Sequence, residues 1–257
     1  MVNSNDKLEQ ANDPIINNKL DKDLQLSDAP RHNIKMQKVL FNFRLKRGEI
    51  TAFRGAIAHK AGLDKEAFHN HKNSADITDS TYHHRYPLIQ YQVHDGKAAI
   101  IGFGQGAEDL KAFVKEYDGK LALNNRSVNA PILVSLSTPS RFAISDKQKS
   151  YQLTHWIALN HENYAKWKQA DGLIEQVEVL EKQLSNHIVS LCKATNWRPP
   201  EFFKVRITDF EERHVKYRNQ RYLAFNVTYK TNLMLPQYFG LGRAVSEGFG
   251  MNVRLDI

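Results

Sequence analysis

The segment FHNH, Phe68 to His71, places two imidazoles two residues apart, and STYHHRYPLIQY, Ser80 to Tyr91, adds His83 and His84. Residues two apart in mid-helix diverge by about 200°, so His69 and His71 can face one way only from an extended segment or a helix end. A metal would need a third ligand, and His83, His84, Asp76 and Asp79 are available nearby. The chain holds neither HExxH nor paired CxxC, so the usual ligand patterns are missing and no metal is assigned. General acid-base chemistry needs less. Two imidazoles titrating near neutrality can remove one proton and supply another, which suits cleavage of RNA by its own 2′-hydroxyl. The third reading is that histidines in a polar loop are surface residues.

Near the C-terminus stands GLGRAVSEGFG, with glycines at 240, 242, 248 and 250 and a charge at Arg243. Glycines let backbone amides approach a phosphate closely. The motif is not a Walker A loop, and Val245 stands where GxGxxG needs its third glycine. A nucleotide cofactor is disfavoured, and no other cofactor is indicated. Phosphate contact and a structural connection between strands both remain open for this loop.

The formal net charge is +8, although the first thirty residues hold three lysines against six carboxylates, so the rest of the chain is more basic still. Such a field favours a polyanionic partner, nucleic acid first and an anionic membrane surface second. ERHVKYRNQRY is the densest basic cluster with interleaved tyrosines. Arg54, Arg85, Arg206, Arg213, Lys216, Arg218, Arg221 and Arg243 are the candidate RNA contacts. The single cysteine, Cys192, excludes an intramolecular disulfide and fits a reducing cytoplasm. MVNSNDKLEQ is not a signal peptide, and no apolar run of membrane-spanning length occurs, so no membrane is expected.

Residues 1–30 lack apolar periodicity and read as a mobile polar tail. IKMQKVLFNFRL alternates, with Ile34, Met36, Lys38 and Leu40 on one face and Val39, Phe41 and Phe43 on the other, as in a strand. RGEITAFRGAIAHKAG then takes helical spacing through Ile50, Phe53, Ile57 and Ala61, closing at Gly62. YPLIQYQV and AAIIGFG flank Asp95-Gly96, a hairpin signal. A helix through EDLKAFVKEY and a strand in APILVSLS complete strand, helix, hairpin, helix, strand, the split βαβ order of a ferredoxin-like domain over 31–138.

A second half, 139–257, begins near Pro139 with polar connections. Its long helix steps through Ile174, Val177, Leu180, Leu184, Ile188, Leu191 and Cys192. FFKVRITDF, KYRNQRYLAFNVTYKTNLM and MNVRL read as strands, and ERHVKYRNQRY as a hairpin tip able to reach a groove. The expected class is α+β, with two tandem ferredoxin-like (RRM-like) domains.

An HxH segment before YPLIQY in a ferredoxin-like half, followed by a second half ending in GLGRAVSEGFG, resembles the CRISPR-associated endoribonucleases of the RAMP superfamily that cut repeat RNA. The likeness spans about residues 34–257 and is strongest to the branch of the sixth Cas family with an HxH active-site segment. It implies His69 and His71 as the catalytic pair, with Lys60 and Tyr86 as helpers for phosphate charge and substrate positioning. It also implies Gly240, Gly242, Arg243, Gly248 and Gly250 as an RNA-contacting loop. The DITDSTYHHR insert departs from the pattern and leaves His83 and His84 unassigned.

The implied activity is metal-independent cleavage of CRISPR precursor RNA within its repeats. The alternative is a non-catalytic RNA-binding subunit of a CRISPR surveillance complex. Repeat RNA is the implied partner, with other Cas proteins and a second copy of the chain as further ones.

Overall fold

The alternation in IKMQKVLFNFRL becomes β1 (His32–Arg44), a strand used on both faces. Val39 and Phe41 are fully enclosed on one side, and Ile34 and Met36 pack on the other against a second core. The computed structural model describes residues 32–62, 65–69, 86–124 and 126–255. The expected tail, His71, Asp76, Asp79, His83, His84 and Arg85 lie outside them.

A 3-10 turn, Arg47–Glu49, leads into α1 (Ile50–Ala61). Ile50, Phe53, Ile57 and Ala61 are buried, as their spacing requires. Gly62, at φ 103°, donates to His59 O and ends the helix. The single turn α2 (Glu66–His69) follows. β2 (Ile89–His94) and β3 (Lys97–Phe103) form a hairpin closed by Asp95 and Gly96 at φ 49° and 73°, the two positive values this turn needs. Then come α3 (Gln105–Glu116), the short hairpin of β4 (Lys120–Leu123) and β5 (Arg126–Asn129), and β6 (Ile132–Trp156). The antiparallel order β2-β3-β1-β6 is the ferredoxin arrangement. Side chains of α1 and α3 close the first core with Val39, Phe41 and Ile100.

The passage to the second half differs from the expectation of polar connections near Pro139. β6 runs through that point for 25 residues: Ile132 to Phe142 pair with β1, and from Ala143 onward the partner is β8 (Gln220–Met234). Phe142, Ala143 and Ile144 are all buried, so the strand passes from one sheet to the next without a turn. Pro139, opposite Lys35, sits where β1 is its ladder neighbour among the described residues, a position that tolerates a missing N–H.

Next come α4 (His161–Gln169), α5 (Gly172–Ala194), β7 (Val205–Tyr217), β8 and β9 (Met251–Arg254). β7 pairs β8, β8 pairs β6, and β9 takes the free side of β6, repeating the first sheet's order. A 3-10 turn, Val245–Glu247, inside the glycine-rich stretch stands where a second helix would be. The chain is two tandem ferredoxin-like domains.

On α5, Leu180, Leu184, Ile188, Leu191 and Cys192 are buried, as the stripe requires. Ile174 is a correction: with Leu173 it belongs to a first turn lying outside the core, and it is 76% exposed. No helix among the described residues is long and apolar enough to cross a membrane.

Candidate functional site

Phe68 anchors the FHNH segment. Its ring is buried 5.7 Å from that of Phe113, and its carbonyl accepts the Tyr91 hydroxyl at 3.3 Å. The peptide entering His69 is thereby tied to β2. His69 is the last residue of α2. His71 lies outside the described residues. Lys60, expected to help with phosphate charge, holds Asp118 Oδ2 at 2.7 Å, and this bond keeps the Asp118 carboxyl below its ordinary value. Its ammonium is engaged between α3 and β4 in this structure.

The chain re-enters the described residues at Tyr86, whose hydroxyl donates to Gly240 O and accepts from Gln90 Nε2 at 2.9 Å. Gln90 Oε1 in turn accepts Gly240 N–H at 2.8 Å. Burial pushes the Tyr86 phenol far above its usual range, so it stays protonated as a donor. Tyr86 is thus placed as a tie between the return of this segment and the glycine-rich loop.

That loop is shaped by close packing. A Cβ on Gly242, at φ 93°, would stand 2.7 Å from the Trp156 indole, and one on Gly248, at φ 79°, 2.7 Å from Ile50 Cδ1 and 3.0 Å from Tyr91 O. Gly240, Gly248 and Gly250 are buried. The Gly250 N–H goes to His155 O and the Arg243 N–H to Ile157 O. The structure gives these glycines a role in packing the loop against both domains. Arg243 is the exposed member, its guanidinium 5.4 Å from the centre of the Tyr222 ring.

ERHVKYRNQRY forms the β7–β8 hairpin, turning at Arg218 and Asn219 with φ 46° and 62°. Lys216, Arg218 and Arg221 are exposed at its tip beside Tyr217 and Tyr222. Arg213 pairs with Glu211 at 2.7 Å, and Arg206 lies at the far end of the hairpin opposite Lys230. Arg54 departs from the surface role expected of it. Its side chain is 13% exposed and bonds Glu247 Oε1 at 3.1 Å.

Three residues escaped the sequence reading. Glu247, the acidic residue inside GLGRAVSEGFG, is buried and accepts from Thr51 as well as Arg54. Arg47 reaches across to Gly248 O at 2.7 Å. His155 adopts φ 52° at a bulge of β6, and its Nδ1 finds no hydrogen-bond partner among the described residues. Burial, then the charges of Arg47 and Arg213, pull its pKa down to about 4. Only Glu247 carried a signal, a lone carboxylate in a basic, glycine-rich loop. Among the described residues no group of three or more His, Cys, Asp or Glu is placed to hold a metal ion.

Residues 32–134 match the model of the Cas6b N-terminal domain, and residues 143–255 that of the Cas6b C-terminal domain. The chain belongs to the Cas6b family. The interval between the two matches contains the hand-over of β6 at Phe142 and Ala143. A solved Cas6b crystal structure superposes with a TM-score of 0.76 at 30% identity, covering 87% of this chain and all of that one. A second, named as the CRISPR RNA processing endoribonuclease Cas6b, gives 0.66 at 26% identity over the same shares. An uncharacterized protein of Methanocaldococcus jannaschii is 33% identical over 116 residues, 45% of this chain and 78% of that one. The HxH segment lies within the N-terminal match, and the glycine-rich loop and the basic hairpin lie within the C-terminal one.

Proposed function

We propose that the chain is a metal-independent endoribonuclease that cleaves CRISPR precursor RNA within its repeats. The observation that carries this reading is the match, over 87% of the chain, to a solved structure named as a CRISPR RNA processing endoribonuclease. The hairpin tip adds chemical support. Lys216, Arg218, Arg221 and Arg243 offer cations to phosphates beside two tyrosine rings that can stack on bases.

His69 and His71 carry the proton transfers. One imidazole takes the proton of the 2′-hydroxyl as its oxygen attacks the neighbouring phosphorus; the other gives a proton to the departing 5′-oxygen. The new O2′–P bond replaces the P–O5′ bond, leaving a 2′,3′-cyclic phosphate and a 5′-hydroxyl. No water is consumed and no metal is needed to generate the nucleophile. A chain with a single cysteine fits a reducing cytoplasm.

The test is cleavage of repeat RNA in EDTA, with a substrate carrying a 2′-deoxy at the cut site as control. Cleavage that ends in a cyclic phosphate and disappears with the 2′-deoxy supports the reading. Cleavage restored only by added metal overturns it. Tight binding without cleavage under either condition identifies an RNA-binding subunit instead.

A further inference from the structure

Glu247 is a carboxylate held at 4% exposure between the two domains. Its Oε2 accepts the hydroxyl of Thr51, on the first turn of α1, at 2.7 Å. Its Oε1 accepts Arg54 Nη1, one turn further along the same helix, at 3.1 Å. From the other side Arg218 Nη2 stands 3.9 Å from Oε1 and the Tyr217 hydroxyl 3.5 Å from it. A buried carboxylate persists when its charge and lone pairs are met in this way.

The two arginines differ. Arg54 is 13% exposed and directly bonded, whereas Arg218 is 55% exposed and at the outer limit of an ion pair. An arriving phosphate can draw Arg218 to itself at little cost, while Arg54 and Thr51 stay with the carboxylate. A second route starts in the same loop: Gly248 lies against Ile50 and Tyr91 O, and the Tyr91 hydroxyl holds the Phe68 carbonyl next to His69. Contacts thus run without interruption from the hairpin tip to the peptide that enters the HxH segment.

We propose that Glu247 is the positioning residue through which RNA held at the β7–β8 tip sets the placement of α1 and, beyond it, of His69. The proposal rests on the endoribonuclease reading and adds to it a link between binding and catalysis. A carboxylate that merely glued the domains together would have no reason to respond to RNA. One shared between the RNA-facing Arg218 and the helix leading to the histidines does.

Hydrogen exchange on the full chain, with and without repeat RNA blocked by a 2′-deoxy at the cut site, tests it. In the wild type, bound RNA is expected to slow exchange at the hairpin tip and also along α1 and α2. In Glu247→Gln, which keeps an acceptor for Thr51 but loses the charge, only the tip should slow. Cleavage at saturating RNA should fall about tenfold or more while the Kd for RNA holds. Thr51→Val, which leaves the charges in place, should show a smaller loss of the same kind, and the double variant should be no worse than Glu247→Gln alone. Slowing along α1 that survives in Glu247→Gln overturns the proposal, and so does a rate loss matched by an equal loss of affinity. If Glu247→Gln fails to fold, Thr51→Val alone decides by the same readouts. A wild type that binds repeat RNA without cutting it overturns the endoribonuclease reading, and the exchange pattern still decides the role of Glu247.

Discussion

The Tyr91 hydroxyl donates to the Phe68 carbonyl at 3.3 Å, so a strand of the first sheet fixes the peptide that enters His69. Both residues are buried. Tyr91→Phe leaves that carbonyl without its donor, at a cost of about 1–2 kcal/mol to folding. Single-turnover cleavage should fall several-fold while denaturant unfolding shows a protein still folded. An unchanged rate in the variant would mean that the Phe68 peptide is not what holds the histidine segment.

The β7–β8 tip carries Lys216, Arg218 and Arg221 exposed. Each replaced singly by alanine should weaken RNA binding and reduce the slope of log K against log salt by about one for each phosphate that its charge had neutralised. Arg206, at the opposite end of the hairpin, serves as the comparison. Equal effects at Arg206 and at the tip would remove the tip from the RNA path.

His94, His155 and His187 are all held near pKa 4, with burial the leading cause for each. Their ordinary value is about 6.5, so between these limits the unfolded chain binds more protons than the folded one. Their contribution is complete above pH 6.5 and is lost as the pH falls from 6.5 toward 4. The thermal midpoint should drop across that window. His187 accepts the Trp156 indole N–H at 3.1 Å, and His187→Gln should start less stable and lose less on acidification. A variant with the same pH profile as the wild type would contradict the assignment.

Gly242 combines φ 93° with a Cβ position 2.7 Å from the Trp156 indole. Gly242→Ala should cost about 1–3 kcal/mol and detach the loop that presents Arg243. Urea unfolding measures the first effect and RNA affinity the second. A midpoint equal to wild type would show that the loop relaxes freely.

Much of the fold was legible because local chemistry and global pairing agree. Asp95-Gly96 makes the turn its dipeptide favours, Gly62 ends α1, and the faces of β1 divide as the alternation requires. The continuation of β6 beyond APILVSLS was hidden because Thr138, Pro139 and Ser140 look like a loop. What keeps them in a strand is the β1 ladder, a partner about a hundred residues away in sequence. Ile174 fits its helical stripe, but the stripe cannot say where the sheet beneath it ends. Within the site, the hairpin tip could be read from charge and tyrosines. The burial of Arg54 and the role of Tyr86 could not, because both are set by the glycine-rich loop nearly two hundred residues from Arg54.

The central claim is that His69 and His71 perform the proton transfers. The direct measurement is single-turnover cleavage of the organism's own repeat RNA in EDTA by the wild type, His69→Ala and His71→Ala, with RNA affinity measured alongside. The wild type should cut, and each variant should lose about 10²–10⁴-fold in rate with its Kd for RNA unchanged. Variants that cut at the wild-type rate would contradict the claim and send the search for the acid and base elsewhere in the chain.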